Sequence, residues 1–121
     1  MDSEKLASRA ELLFENGKKK YEQGQREEAL GLFNQALDIY RQILDKDGEI
    51  AALGYLAVVY RSIGNFEKSV EIYTSLLKLF EDLNDVAVQG RVLNNMGLIR
   101  ARDGNYEDAL KDFHSALDLF E

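Results

Sequence analysis

Two adjacent amides, Asn94 and Asn95, stand between Arg91 and Arg102 in a chain that is otherwise acidic. An asparagine amide carries donors and an acceptor together, so it can pair with the backbone of an extended peptide whatever that peptide's sequence. An arginine nearby can hold a carboxylate through two parallel hydrogen bonds. The chemistry these residue types offer is recognition. The same amides can equally be solvated, or bonded to a neighbouring helix, because a buried amide must find partners in any case. The residues alone leave both roles open.

The residues for covalent or metal chemistry are missing. Cysteine is absent, which excludes a disulfide framework, a thiol nucleophile and a cysteine zinc site. The single histidine, His114, falls on a helical pattern with no second ligand, so a multi-histidine metal site is excluded. Asp45-Lys46-Asp47-Gly48-Glu49 has the look of a calcium loop. With Gly48 as its sixth residue, however, the first and twelfth positions are Ile43 and Gly54, which cannot ligate. It reads instead as a charged turn between helices. No glycine-rich phosphate loop occurs. No nucleophile, base and metal come together, and neither an enzyme nor a cofactor is expected.

A net charge of −7, from 15 basic and 22 acidic residues, disfavours nucleic acid and anionic membranes as partners. Lys18-Lys19-Lys20 has glutamates close by and reads as a solvated helix face. No segment is long and apolar enough to span a bilayer. The opening Met1-Asp2-Ser3-Glu4-Lys5 lacks the basic and then apolar pattern of a secretory signal, so a cytoplasmic, intracellular location is expected.

The elements that must position these side chains follow from a repeat. Gly24, Gly64 and Gly104 are 40 residues apart. Around them, Gly24-Gln25-Arg26-Glu27-Glu28-Ala29-Leu30 aligns with Gly64-Asn65-Phe66-Glu67-Lys68-Ser69-Val70 and with Gly104-Asn105-Tyr106-Glu107-Asp108-Ala109-Leu110. Phe33, Tyr73 and Phe113 coincide, as do Leu37, Leu77 and Leu117, and Leu13, Leu53 and Leu93. Three units, at about 4–44, 45–84 and 85–121, fill a single domain over 1–121. Apolar residues at three- and four-residue steps on both sides of each glycine predict two helices per unit. These are helix A at about 4–22, 48–62 and 86–102, and helix B at about 26–44, 66–82 and 106–120. The glycines suit a left-handed helix end. Asn65 and Asn105 are good N-caps and Gln25 a weaker one. Acids then open each helix B, where the helix dipole favours them.

These residues resemble the tetratricopeptide repeat, a helix-turn-helix unit with small and aromatic residues at fixed positions. Unit three carries Leu93, Met96-Gly97, Gly104, Tyr106, Ala109, Phe113, Ala116 and Leu117 at those positions. Unit one carries Leu13, Gly17, Gly24, Ala29, Phe33, Ala36 and Leu37. Unit two carries Leu53, Leu56-Ala57, Tyr60, Gly64, Phe66, Ser69, Tyr73 and Leu77. The usual repeat has 34 residues and a terminal proline. Here it has 40 residues, with Arg41, Glu81 and Glu121 in place of proline. Without proline, helix B can run on by nearly a turn and the next helix A can begin earlier. This is similar to the long-repeat branch of the family, found in Pins-type adaptors, kinesin light chains and bacterial peptide-sensing regulators. The resemblance implies an all-α fold, an α-solenoid of three repeats in a right-handed superhelical stack.

The resemblance also implies a concave groove lined by helices A. Its positions fall on Glu11, Phe14, Lys18, Tyr21 and Glu22, then on Ala51, Gly54, Tyr55, Val58, Arg61 and Ser62. Unit three supplies Arg91, Asn94, Asn95, Leu98, Ala101 and Arg102. Of these, Lys18, Tyr21, Tyr55, Arg61, Arg91, Asn94, Asn95 and Arg102 are the candidate peptide-binding residues. The carboxylate clamp of cochaperones is not reproduced, because its lysine-asparagine pair would fall at Phe14 and Lys18, so a chaperone tail is not an expected ligand. By charge, the A helices carry +1, 0 and +3, whereas the B helices, counted with Asp45 and Glu121 at the ends of the first and third, carry −2, −2 and −4. A neutral-to-basic groove favours an acidic peptide or a C-terminal carboxylate. Acids that merely decorate solvated faces would give the same count. The implied function is a non-catalytic protein–protein interaction scaffold. The alternative is a structural or self-association module of a larger repeat protein, with no peptide of its own.

The last helix B adds an expectation about partners. Leu110, Phe113, Leu117 and Phe120 have no following helix A to cover them. Part of the set packs back on Leu93, Met96 and Gly97, and the remainder forms an exposed strip. A fragment of a longer array, or a homodimer through this helix, is therefore expected.

Overall fold

In a computed structural model, which describes residues 2–120, six helices follow one another, the last five starting 20 residues apart. They are α1 (Ser3–Glu22), α2 (Arg26–Gln42), α3 (Lys46–Ser62), α4 (Phe66–Asp82), α5 (Val86–Arg102) and α6 (Tyr106–Leu119). Glu121, which the sequence aligns with the missing proline, lies outside the described residues. The odd-numbered helices are the A helices and the even-numbered the B helices, within two residues of the expected limits at each end. No strand occurs among the described residues.

The regular interval comes from one turn used five times. Gly24, Gly64 and Gly104 stand at φ of +79°, +83° and +84°, where an L side chain would be strained. In the first turn the Gly24 N–H donates to the Tyr21 carbonyl at 3.0 Å and the Gln25 N–H to the Lys20 carbonyl at 2.9 Å. That pair of bonds satisfies carbonyls the ending helix leaves free. The turns between units repeat the pattern with Leu44 at φ +59° and Asn84 at φ +57°, positions where no glycine announces a left-handed residue.

The helix starts are only partly as the sequence predicts. Asn65 caps α4 by accepting from the Lys68 N–H at 3.2 Å. Asn105 makes no capping bond; its amide donates to the Asp108 carboxylate at 3.0 Å instead. Gln25 makes none either. The run from Asp45 to Glu49, expected as a turn between helices, is corrected by the structure. Asp45 is the N-cap of α3 and accepts from the Gly48 N–H at 3.0 Å. Lys46 to Glu49 form the first helical turn, with Glu49 bridging Arg41 at 2.9 Å and Lys46 at 3.6 Å.

Packing explains the small residues. A Cβ on Gly17 would meet the Phe33 ring at 2.8 Å, and one on Gly97 would meet the Phe113 ring at 2.6 Å. Glycine on helix A thus makes room for an aromatic on helix B of the same unit, in two units of three. In the remaining unit Ala57 and Tyr73 take these positions, both buried. Ser69, fully buried, donates its hydroxyl to the Ala57 carbonyl at 2.8 Å. Between units, the Tyr40 ring covers Gly48. Each helix packs chiefly on its neighbours in sequence, and the A helices also touch along one face, where Phe14 of α1 meets Tyr55 of α3 with ring centroids 5.3 Å apart. The chain is an all-α helical repeat solenoid.

Candidate functional site

The face shared by the A helices contains an open groove of about 530 Å³ between α3 and α5. Arg61 and Ser62 form one wall, and Leu98, Ile99 and Arg102 the other. Register builds it. Arg61 and Ser62 end α3, and Leu98 and Arg102 lie one turn apart on the same face of α5. Leu98 is 61% exposed at the centre of this surface. Neither Arg61 nor Arg102 forms an ion pair among the described residues, whereas Lys18, Lys20 and Arg100 on the A helices do. Both guanidinium groups therefore keep their donors free for an outside acceptor. Behind Arg61 lies Tyr73. Burial raises the pKa of its hydroxyl, and the positive charge of Arg61 opposes that rise.

Other candidates take different places. Arg91 and Asn94 are exposed and Asn95 half-buried on α5, and none of their side chains makes a hydrogen bond to a described residue. They share the face of Arg102, but Arg91 stands about 16 Å away along the helix axis, outside the groove. Tyr55 packs more than it projects. Its ring stacks on Phe33 at 5.1 Å and meets the edge of Phe14 at 5.3 Å. Tyr21 likewise packs against the core. Lys18 lies 5.3 Å above the Phe14 ring and 3.2 Å from Glu15, and the hydrogen bond to that carboxylate raises its pKa.

The division of charge by whole helices needs correction. Arg100, counted with the A helices, turns away from the groove. Its Nη1 donates to both oxygens of Asp112 on α6, at 2.8 and 2.7 Å. Lys20 reaches across to Glu28 on α2 at 3.2 Å. The basic character of the groove therefore rests on a few unpaired arginines. Sequence reading missed Ile99 as part of the wall, because its apolar spacing marks it only as core.

On the last helix, the Phe113 ring is half-buried on Gly97. Leu110, Leu117 and Phe120 are each more than half exposed, and so is Tyr106. Phe120 rests one side of its ring on Gly90 of α5. Among the described residues no three His, Cys, Asp or Glu converge as metal ligands, and no helix is long and apolar enough to cross a membrane.

The fold recurs in solved structures. The TPR domain of Arabidopsis FLU superposes with a TM-score of 0.81 at 15% identity, covering 93% of this chain and 95% of that one. Aspartyl phosphate phosphatase F from Bacillus subtilis gives 0.79 at 22% identity, covering 94% of this chain but 30% of the phosphatase. The TPR-like repeats of a Podospora anserina putative kinesin light chain give 0.72 at 17% identity, covering 93% and 56%. At these identities the likeness concerns the fold alone. No curated protein sequence matches the chain significantly. A family model for the tetratricopeptide repeat matches residues 8–82, more than half of the chain. Together with the 40-residue register and the glycine–aromatic packing, that match shows that the chain belongs to the tetratricopeptide repeat family.

Proposed function

We propose that the chain is a non-catalytic protein–protein interaction scaffold that holds an acidic peptide segment, or a C-terminal carboxylate, against the face lined by the A helices. The carrying observation is the pair Arg61 and Arg102, without an ion-pair partner among the described residues, on facing walls of one groove with exposed Leu98 between them. Two guanidinium groups around an apolar floor match a partner that is both anionic and partly apolar. Tetratricopeptide folds are generally interaction modules, which agrees with this reading. The test is amide-shift mapping by NMR with a short glutamate-rich peptide carrying a free carboxylate. Shifts should cluster on the C-terminal halves of α3 and α5, and fade with added salt. Reversal by Arg61→Glu with Arg102→Glu should abolish them. Shifts that survive the double reversal would overturn the carboxylate reading.

A second reading has its own observation. In the exposed apolar row of Tyr106, Leu110, Leu117 and Phe120 on the last helix, Leu117 and Phe120 stand at registers that are buried or half-buried in the earlier units. There Tyr40 and Leu37 are buried and Phe80 and Leu77 at least half-buried. This face fits a second copy of the chain, paired symmetrically.

A further inference from the structure

A second, apolar recess of about 250 Å³ lies further along α3, separate from the groove at Arg61 and lined by Ile50, Ala51, Gly54, Tyr55 and Val58. Gly54 makes the recess. At its register, unit one carries Phe14 and unit three Asn94. A Cβ built on Gly54 meets nothing within 4 Å. The glycines at 17, 48, 90 and 97 differ, because an aromatic ring covers each of them. Glycine inside a helix is unfavourable relative to alanine, and no internal packing requires it at 54. The space above it is open from outside.

The two subsites lie along one helix. Gly54 and Arg61 are seven residues apart on α3, roughly 10 Å at 1.5 Å per residue. An extended peptide advances about 3.3 Å per residue, so about three residues bridge the gap. We propose, resting on the reading of this face as a peptide groove, that the partner is an extended acidic peptide whose apolar side chain seats over Gly54 and whose carboxylate, three residues away, pairs with Arg61 and Arg102. Charge complementarity sets the anionic end, because neither arginine has an ion-pair partner among the described residues. The apolar walls of the recess set the other end, and they disfavour a ligand that is anionic throughout.

The test uses fluorescence anisotropy with the intact chain and short peptides of glycine and serine. Each carries one leucine and one pair of glutamates, either three residues apart or adjacent, in both orders along the chain. A peptide with the three-residue spacing should bind about ten-fold more tightly than its adjacent-spacing isomer, the scale of burying one leucine. Gly54→Leu should erase that preference and leave only the weaker, shared affinity. Gly54→Ala, which adds one methyl group to open space, should reduce the preference while the circular dichroism melt stays level or rises. A spacing preference that persists in both Gly54 variants, with binding still lost in Arg61→Glu, would overturn the two-point proposal and leave the groove reading standing. Binding that is indifferent to both Gly54 and the arginines would overturn the groove reading together with it.

Discussion

Arg100 and Asp112 show how a charge can serve the fold instead of the groove. Asp112 is only 7% exposed, and burial pushes its carboxyl above the usual aspartate range while Arg100 pulls it back. A buried carboxylate of this kind is held by its partner's two hydrogen bonds. Removing the partner leaves the charge in place without compensation. The Arg100 side chain is 28% exposed, so Arg100→Met should lower stability by about 2–3 kcal/mol at neutral pH, below the range for a fully buried pair. The sign of the pH dependence follows. A carboxyl whose folded pKa is raised binds its proton more tightly when folded, so its contribution is greatest below the unfolded value and is lost as pH rises through the folded one. Without Arg100 the rise is larger. The defect should shrink as pH is lowered toward 4, the ordinary aspartate region, and urea melts at neutral and acid pH measure it. A defect equal at both pH values would mean that lost packing, not the stranded charge, is its cause.

At the scale of elements, the turns decide how much of this architecture can be read from sequence. Three of the five left-handed turn residues are glycine and stand out as a 40-residue repeat; the other two are Leu44 and Asn84. A leucine there is strained by about 1–2 kcal/mol, and its side chain is 82% exposed, so it recovers little by packing. Leu44→Gly should raise stability by about 0.5–1 kcal/mol, less than the full strain because glycine also frees the unfolded chain. Thermal or urea melts would show the gain; a loss would mean that Leu44 makes contacts its exposure conceals. The helices themselves were legible because glycine, aromatic and small residues recur in register. Arg61, Arg102 and the groove positions were legible only through the family resemblance, since periodicity does not say which face is shared by neighbouring A helices. The pairing of Arg100 was not legible. It depends on a side chain choosing between two faces of α5, and adding up charge by helix hides that choice.

For the whole molecule, the two proposed interaction surfaces should answer oppositely to salt. In the proposed reading the groove would attract an acidic partner through half-buried Arg61 and exposed Arg102, an attraction that added salt screens within about 8–10 Å. The outer face of α6 is built the other way. An apolar row of Tyr106, Leu110, Leu117 and Phe120 is flanked by Glu107 and Asp118, with Lys111 and His114 on the same helix. Bringing two such helices together buries apolar area but also sets acid near acid, so the repulsion opposes the hydrophobic gain. Screening removes the repulsion and leaves that gain nearly intact. Self-association through α6 should therefore strengthen between low and moderate salt, while binding of an acidic peptide at the groove weakens over the same range. Molar mass by light scattering, followed across concentration and salt, reads the first effect. Leu117→Glu with Phe120→Glu should hold the chain monomeric throughout without touching Arg61 or Arg102. A mass that stays monomeric at every salt concentration in the unaltered chain would remove the homodimer reading, and a mass that falls as salt rises would move the contact from the apolar row to a pairing of opposite charges elsewhere on the surface.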